Sequence, residues 1–317
     1  MRWVCSKEGD VMAKTTIKNQ RIHDTRGDKI LDYVTGTILV LFSLIILYPL
    51  IYVVSCSFSS SDALQSGAVV LWPVDFSLDA YKFVFNYKQV WVGFRNSIIY
   101  CAIDLVVQTS VTLLCAYPIS RRYFHGKHFY TMFFFISTRF NAGMIPSFIL
   151  KCQFGLFDNV LAVVLGGAVG ITHMLIVRSA INANIPEDLF DAARIDGASH
   201  WQCIWQLVLP LTKATLAVCM LYSTIGCWND YFTAMLYLRD SRLYPLQLVL
   251  RPIMQAATAQ GSLDMNGVQS TYAEMANKSL EGVRFALIVI TSLPICCVFI
   301  YLQRYIKGGV MVGSVKG

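Results

Sequence analysis

Hydrophobic and polar positions along this chain are grouped in long blocks. A helix needs about 20 mostly apolar residues to cross a bilayer. Six blocks approach or exceed that length, and polar segments separate them. The blocks lie at about 31–58, 92–116, 129–150, 159–177, 207–238 and 284–303. The pattern predicts an all-α, polytopic membrane protein with six transmembrane helices. The fifth block is interrupted by polar residues, and we expect it to line a protein interface.

The composition agrees with a membrane protein. Hydrophobic residues make up 56% of the 317 positions and charged residues only 14%, whereas roughly a quarter of a soluble domain is charged. The ten cysteines fall mostly in the apolar blocks, and no C-x-x-C pair occurs. They are therefore interpreted as small buried residues, and neither a metal site nor a disulfide framework is predicted.

The distribution of Lys and Arg predicts the orientation in the membrane. If both ends are cytoplasmic, the inside segments hold 16 of these residues and the outside segments hold seven, as the positive-inside rule requires. The net charge of +7 is then explained by topology, and no nucleic-acid partner is needed. The predicted organisation is a cytoplasmic tail at 1–30, a six-helix domain at 31–305 in the cell membrane, and a cytoplasmic tail at 306–317.

A polar, patterned stretch, "DAARIDGASHWQCIWQLVLP", lies between the fourth and fifth blocks. Asn184 is expected to cap a short helix, with Glu187 completing a capping box. Gly197 permits a sharp break, and Ser199 can cap a second helix that enters the bilayer. These local features are equally consistent with an ordinary cytoplasmic loop helix over 184–210.

This stretch resembles the cytoplasmic EAA loop of ABC importer permeases, whose pattern is E-A-A, three residues, G, nine residues and I-x-L-P. Asp191 stands in place of Glu and Leu207 in place of Ile. Segments such as "AYPISRRYFHGK" and "LQRYIKGGVMVGSVKG" further resemble the MalG-related carbohydrate-uptake permeases of the LplC/YtcP-like branch, over about residues 25–317. The residues assigned to the ATPase-coupling loop are Glu187, Asp191, Ala192, Ala193, Gly197, Leu207, Leu209 and Pro210.

The resemblance implies the type I permease fold of ABC importers and a set of partners. A second homologous permease would complete the pore, a cytosolic ATPase dimer would receive the loop, and an extracytoplasmic binding protein would deliver a sugar or oligosaccharide. ATP and Mg²⁺ would be held by the ATPase, because this sequence contains no G-x-x-x-x-G-K-[ST] phosphate loop. No cofactor and no enzymatic activity are therefore expected of this chain.

Polar residues inside membrane spans are costly and mark candidate functional sites. Aromatic, amide and charged side chains suit sugar rings and hydroxyls, although hydrogen bonds between helices are an alternative role. Arg139 departs from the family pattern, and one hypothesis is that it meets an acidic sugar such as a uronate. The candidate substrate path comprises Arg139, Asn141, Trp228, Asn229, Asp230 and Tyr231.

The alternative function is an ion-coupled secondary transporter that acts without an ATPase. Asp104 and His173 lie in apolar blocks and suggest proton coupling, although neither has a partner at helical spacing. A membrane enzyme lacks support, because the five histidines are scattered and neither H-E-x-x-H nor G-x-S-x-G occurs.

Gly143 and Pro146 are predicted to break the third helix.

Overall fold

The computed structural model describes residues 26–140, 142–258 and 280–314, and within them the secondary structure is helical, without a strand. Most of the predicted N-terminal tail, Asn141 and the end of the C-terminal tail lie outside these residues. The α-helices are α1 Arg26–Ser57, α2 Ser61–Gln65, α3 Asp79–Asn86, α4 Lys88–Ser120, α5 Lys127–Ser137, α6 Met144–Gln153, α7 Val160–Val164, α8 Ile171–Asn184, α9 Glu187–Ile195, α10 His200–Gln202, α11 Leu209–Leu211, α12 Lys213–Asn229, α13 Phe232–Tyr237, α14 Leu246–Thr258 and α15 Leu280–Ser314.

Long apolar helices confirm the membrane character predicted from the blocks. Across the described ranges, four segments are long and apolar enough to cross a membrane: Arg26–Ser57, Lys88–Ser120, Val160–Asn184 and Gly282–Ile306. A fifth is reached if His200–Leu211 and Lys213–Asn229, which meet at 84°, count as one bent span. The count of six stays a prediction.

The third block is divided into two helices. α5 ends at Ser137 and α6 begins at Met144. Gly143, at the N-cap of α6, has φ +86°, a conformation that glycine adopts without steric cost. Pro146 lies in the first turn of α6, where a missing N–H is tolerated. The predicted break at Gly143 is confirmed.

The chain divides into two compact units at Ile51. The first unit contains most of α1, whose large apolar side chains between Ile30 and Leu50 are exposed, as expected of a helix that contacts lipid.

Two of the buried clusters in the described part of the second unit share α4. The first core joins α4, α8, α9 and α12 and includes Tyr117, Ile181 and Phe190. The second core joins α3, α4, α12, α14 and α15 and includes Trp228 and Leu250. Because the α4 residues of the first core are at 113–119 and those of the second at 90–101, the two cores occupy opposite ends of this helix.

A close approach between α4 and α14 fixes the position of α14. A Cβ atom at Gly93 would lie 3.1 Å from the Leu246 Cα atom, so only glycine fits without displacement. Nearby, the Asn96 amide donates to the carbonyls of Arg242 and Tyr244 at 2.8 and 3.1 Å. The backbone before α14 is therefore held by the end of α4 that belongs to the second core.

Candidate functional site

The 184–210 loop contains the predicted short helix, but that helix begins differently from the prediction. Asn184 is the last residue of α8, and Pro186 occupies the N-cap of α9 without a side-chain cap bond. The predicted capping box between Asn184 and Glu187 is therefore wrong. The Glu187 carboxylate instead accepts the backbone N–H of Arg122 at 3.3 Å, so a tertiary contact replaces the local one.

α9 is fastened to the end of α4 by a charged and aromatic cluster. An Nη1 atom of Arg121 lies 3.6 Å from a carboxylate oxygen of Glu187, and its guanidinium carbon lies 3.3 Å from the centre of the Phe190 ring. Burial lowers the pKa of Arg121 from its ordinary value, and Glu187 opposes that shift by raising it. The ion pair thus offsets part of the desolvation of this cation, and burial remains the larger effect.

The break after α9 has the local chemistry that the sequence predicts. Gly197 has φ +79°, and a Cβ at this position would meet nothing within 4 Å. The N–H of Ala198 donates to the carbonyl of Ala193 at 2.9 Å, which closes the last turn. Ser199 and Gln202 then form a reciprocal capping box, with bonds of 2.7 and 3.3 Å. The sharp break and the second cap are both confirmed.

One face of α9 is available to a partner. Phe190 is buried in the first core, whereas Leu189 and Ala192 are exposed and Ile195 has 86% of its surface exposed. Asp191 and Ala193 are half-buried. Because Ala192 is small, another protein can approach the helix axis closely at this point.

The end of the loop leads into a distorted helix. A π-helical segment at Cys203–Val208 precedes α11, which contains Leu209 and Pro210. Leu207 and Leu209 are half-buried against the first core, and Pro210 is exposed. Leu207 and Leu209 therefore pack within the chain, in contrast to the exposed face of α9.

The candidate path residues fall on separate elements. Arg139 follows α5 and is exposed, with its guanidinium carbon 5.4 Å from the centre of the Phe135 ring. Asn141 lies outside the described residues. Trp228 is buried in the second core, where its indole N–H donates to the Thr291 carbonyl at 3.1 Å. Its polar atom therefore already has a partner within the chain.

The three residues after Trp228 form the junction between α12 and α13. Asp230 accepts the N–H of Thr233 at 3.0 Å, which satisfies a donor in the first turn of α13. Asn229 and Tyr231 are exposed. Across from them, the Gln247 amide lies 3.5 Å from the Asn229 carbonyl oxygen, and the Arg251 guanidinium lies 4.6 Å from the Tyr231 ring centre.

Gln247 and Arg251 were missed by the sequence analysis. They are four residues apart on α14, while Leu246, Val249 and Leu250 fill another face and are buried. That amphipathic spacing is the signal that would have placed both polar side chains on the same side of the helix.

The hydrogen-bond partner of Asp104 lies on another helix, so the spacing of residues along its own helix did not reveal it. The Ser223 hydroxyl donates to its carboxylate at 2.8 Å. One turn along α4, the Gln108 amide donates to the Gly167 carbonyl at 3.0 Å, where the chain between α7 and α8 is 3₁₀-helical at Leu165–Gly167. These buried bonds join α4 to α12 and to the break before α8.

The long apolar helices, with a polar loop packed against the first core, define a helical membrane protein. The chain belongs to the family described as "binding-protein-dependent transport system inner membrane component", whose profile matches residues 19–311. This family consists of transport permeases rather than enzymes, and its description implies a solute-binding protein as a partner. Multi-pass insertion in a membrane follows from the family and from the helices.

Two bacterial relatives match nearly the whole chain. Protein LplC of Bacillus subtilis is 31% identical over 296 residues, which cover 93% of this chain and 98% of the relative. The polygalacturonan/rhamnogalacturonan transport system permease protein YtcP of the same organism is 30% identical over 293 residues, which cover 92% and 99%.

A solved structure confirms the fold. A chain from the crystal structure of a bacterial ABC transporter involved in the import of the acidic polysaccharide alginate is 32% identical, with a TM-score of 0.78. The match covers 89% of this chain and 98% of that one. The fold is therefore that of an ABC importer permease.

Proposed function

We propose that this chain is one permease subunit of an ATP-driven importer of oligosaccharides. A second homologous permease supplies the other half of the pore, and an extracytoplasmic binding protein delivers the solute. A cytosolic ATPase dimer holds ATP and Mg²⁺, while this chain binds no cofactor. The Lys and Arg bias supports cytoplasmic termini, and the names of the relatives support a saccharide as the solute.

The observation that carries this proposal is the arrangement of α9. Its exposed face around Ala192 suits insertion into a cleft of the ATPase, and its buried face is tied to α4 through Glu187 and Phe190. A movement of the ATPase against α9 would therefore be passed to α4, because the contacts between them are packed and charged rather than loose. ATP binding in one protein is thus coupled to opening of the pore in another.

Co-purification with an ATPase assay tests this function. The chain is isolated from its native membrane in mild detergent, as wild type and as Ala192→Asp. The matched control is Ala68→Asp, since Ala68 is also exposed but lies between α2 and α3. The wild type and the control are expected to retain a second permease and an ATPase, and Ala192→Asp is expected to lose the ATPase.

The alternative, an ion-coupled carrier, predicts that the chain purifies without an ATPase. A wild-type chain that purifies alone and moves solute under a proton gradient would overturn the importer proposal. Asp104 and His173 would then become the residues to study. Equal retention of the ATPase by all three proteins would reject α9 as its contact.

A further inference from the structure

α14 has a polar surface that its packing does not explain. Gln247 and Arg251 lie one helical turn apart on the same side, and their side chains reach the junction between α12 and α13. The neighbouring side, with Val249 and Ile253, is buried in the second core. An amide and a cation are thus held at a fixed position beside the candidate path residues Asn229 and Tyr231.

The Arg251 side chain is positioned by uncharged neighbours. Its guanidinium lies 4.6 Å from the centre of the Tyr231 ring, and an Nη1 atom lies 2.7 Å from the Met235 sulfur. Among the described residues, no carboxylate lies within ion-pair distance of Arg251, whereas Arg121 and Arg242 each have one. Partial burial of a cation is costly without an anionic partner, so a negatively charged ligand would be favoured here.

The groups around Arg251 match the parts of an acidic sugar. The exposed fraction of Tyr231 is 38%, which leaves aromatic surface for the apolar face of a sugar ring. The Asn229 amide already donates one N–H to the Ile225 carbonyl at 3.0 Å, but Asn229 and Gln247 each keep a second N–H that can donate to a hydroxyl group. The guanidinium can hold a carboxylate through two parallel hydrogen bonds. A neutral sugar would use the first two features and leave the cation unpaired.

We infer that Arg251, with Tyr231, Asn229 and Gln247, forms a subsite that binds the carboxylate of a uronic-acid-containing oligosaccharide on its way through the pore. This inference rests on the proposed function and adds the substrate class and the residue that recognises it. Arg251 makes selectivity for acidic over neutral saccharides a property of the permease as well as of the binding protein.

Uptake by the complete importer in proteoliposomes tests this subsite. The vesicles contain this chain, the second permease and the ATPase, with ATP inside and the binding protein outside. The probes are trigalacturonate and its fully methyl-esterified, uncharged form. The variants are Arg251→Gln and Arg251→Lys. The control is Arg242→Gln, because Arg242 is already paired with Asp240 at 2.7 Å and is exposed.

Arg251→Gln is expected to lower the initial uptake of trigalacturonate by about tenfold or more, the usual cost of removing a charged hydrogen bond. Uptake of the ester is expected to stay unchanged. Arg251→Lys should retain an intermediate rate for the acid, because it keeps the charge but not the planar fork. The control should match the wild type with both probes.

Other outcomes would overturn the inference in distinguishable ways. An equal loss for acid and ester in Arg251→Gln would mean a structural role, and no loss for either would mean no role. Wild-type vesicles that take up the ester but not the acid would remove the acidic substrate class while leaving the importer standing. Wild-type vesicles that take up neither probe nor neutral oligosaccharides would remove the proposed function as well.

Discussion

Glu187 of α9 and Arg121 at the end of α4 form an ion pair, with 3.6 Å between the Arg121 Nη1 atom and a carboxylate oxygen of Glu187. The two residues are far apart in the sequence. The same carboxylate accepts the Arg122 N–H, and the same guanidinium stacks on Phe190. One acidic residue therefore connects α9, the helix that we propose contacts the ATPase, to α4, which contributes to both cores.

Glu187→Ala is expected to loosen α9 without removing its exposed face. The substitution leaves the desolvated Arg121 cation without its anion and removes the acceptor of the Arg122 N–H, at a cost of about 1–3 kcal/mol. Substrate-stimulated ATP hydrolysis and transport should become uncoupled, so that fewer solute molecules are moved per ATP. The measurement is uptake and phosphate release in the same proteoliposomes.

Asp188→Ala is the matched control for that experiment. Asp188 is the next residue along α9 and is exposed. The ion pair of Arg121 is with Glu187 and not with Asp188. Its ratio of transport to hydrolysis should equal that of the wild type. If the two variants behave alike, the ion pair plays no part in coupling.

Gly197→Val is expected to strain the break between α9 and α10. Gly197 has φ +79° in open space, so the obstacle is backbone conformation rather than a clash. A β-branched residue at this φ costs on the order of 1–3 kcal/mol. Gly197→Asn should be tolerated better, since Asn visits the left-handed region. The thermal unfolding midpoints of the two purified complexes would show the difference, and equal midpoints would contradict the argument.

Features of the 184–210 loop that depend on neighbouring residues could be predicted from sequence. Gly197 at a positive φ and Ser199 with Gln202 involve atoms within three residues of each other. Glu187 shows where such reasoning ends. Its spacing from Asn184 satisfies the capping box, but Arg121 and Arg122, just after α4, are its partners, and no local pattern reports them.

The apolar blocks show the same limit at larger scale. Hydrophobicity located the apolar segments of the chain but not their internal breaks, because a turn inside a block keeps an apolar composition. Gly143 signalled one break in advance. The 84° bend after Leu211 lies beside Pro210. The 3₁₀ turn at Leu165–Gly167 accepts a hydrogen bond from Gln108 of α4, a tertiary contact that no local pattern reports. Gln247 and Arg251 were overlooked for a related reason, since their importance comes from the elements that face them.

Arg139→Gln tests the hypothesis that Arg139 meets an acidic sugar. Arg139 is exposed between α5 and α6, and its guanidinium lies over the Phe135 ring. If it lines the path, its loss should slow uptake of trigalacturonate several-fold and leave the uncharged ester unaffected. Lys82→Gln is the control, since Lys82 is an exposed cation of α3 paired with Asp79, and such surface pairs contribute about 0–1 kcal/mol. Unchanged uptake of acidic probes in Arg139→Gln would end the hypothesis.

Asp104 separates the importer from the ion-coupled carrier. In an importer, Asp104 serves as the acceptor for Ser223 at 2.8 Å, and the amide of Asp104→Asn can accept the same bond. ATP-dependent uptake should then persist within a few-fold, and a proton gradient should not alter it.

Asp104→Leu removes the acceptor and leaves the buried Ser223 hydroxyl without its partner, a cost of about 1–3 kcal/mol. This variant should assemble less well or unfold at a lower temperature than Asp104→Asn. In a proton-coupled carrier the two variants would behave alike. Neither Asn nor Leu releases a proton at physiological pH, so both variants would lose uptake. Uptake with and without an imposed pH gradient therefore distinguishes a hydrogen-bonded structural carboxylate from a proton carrier.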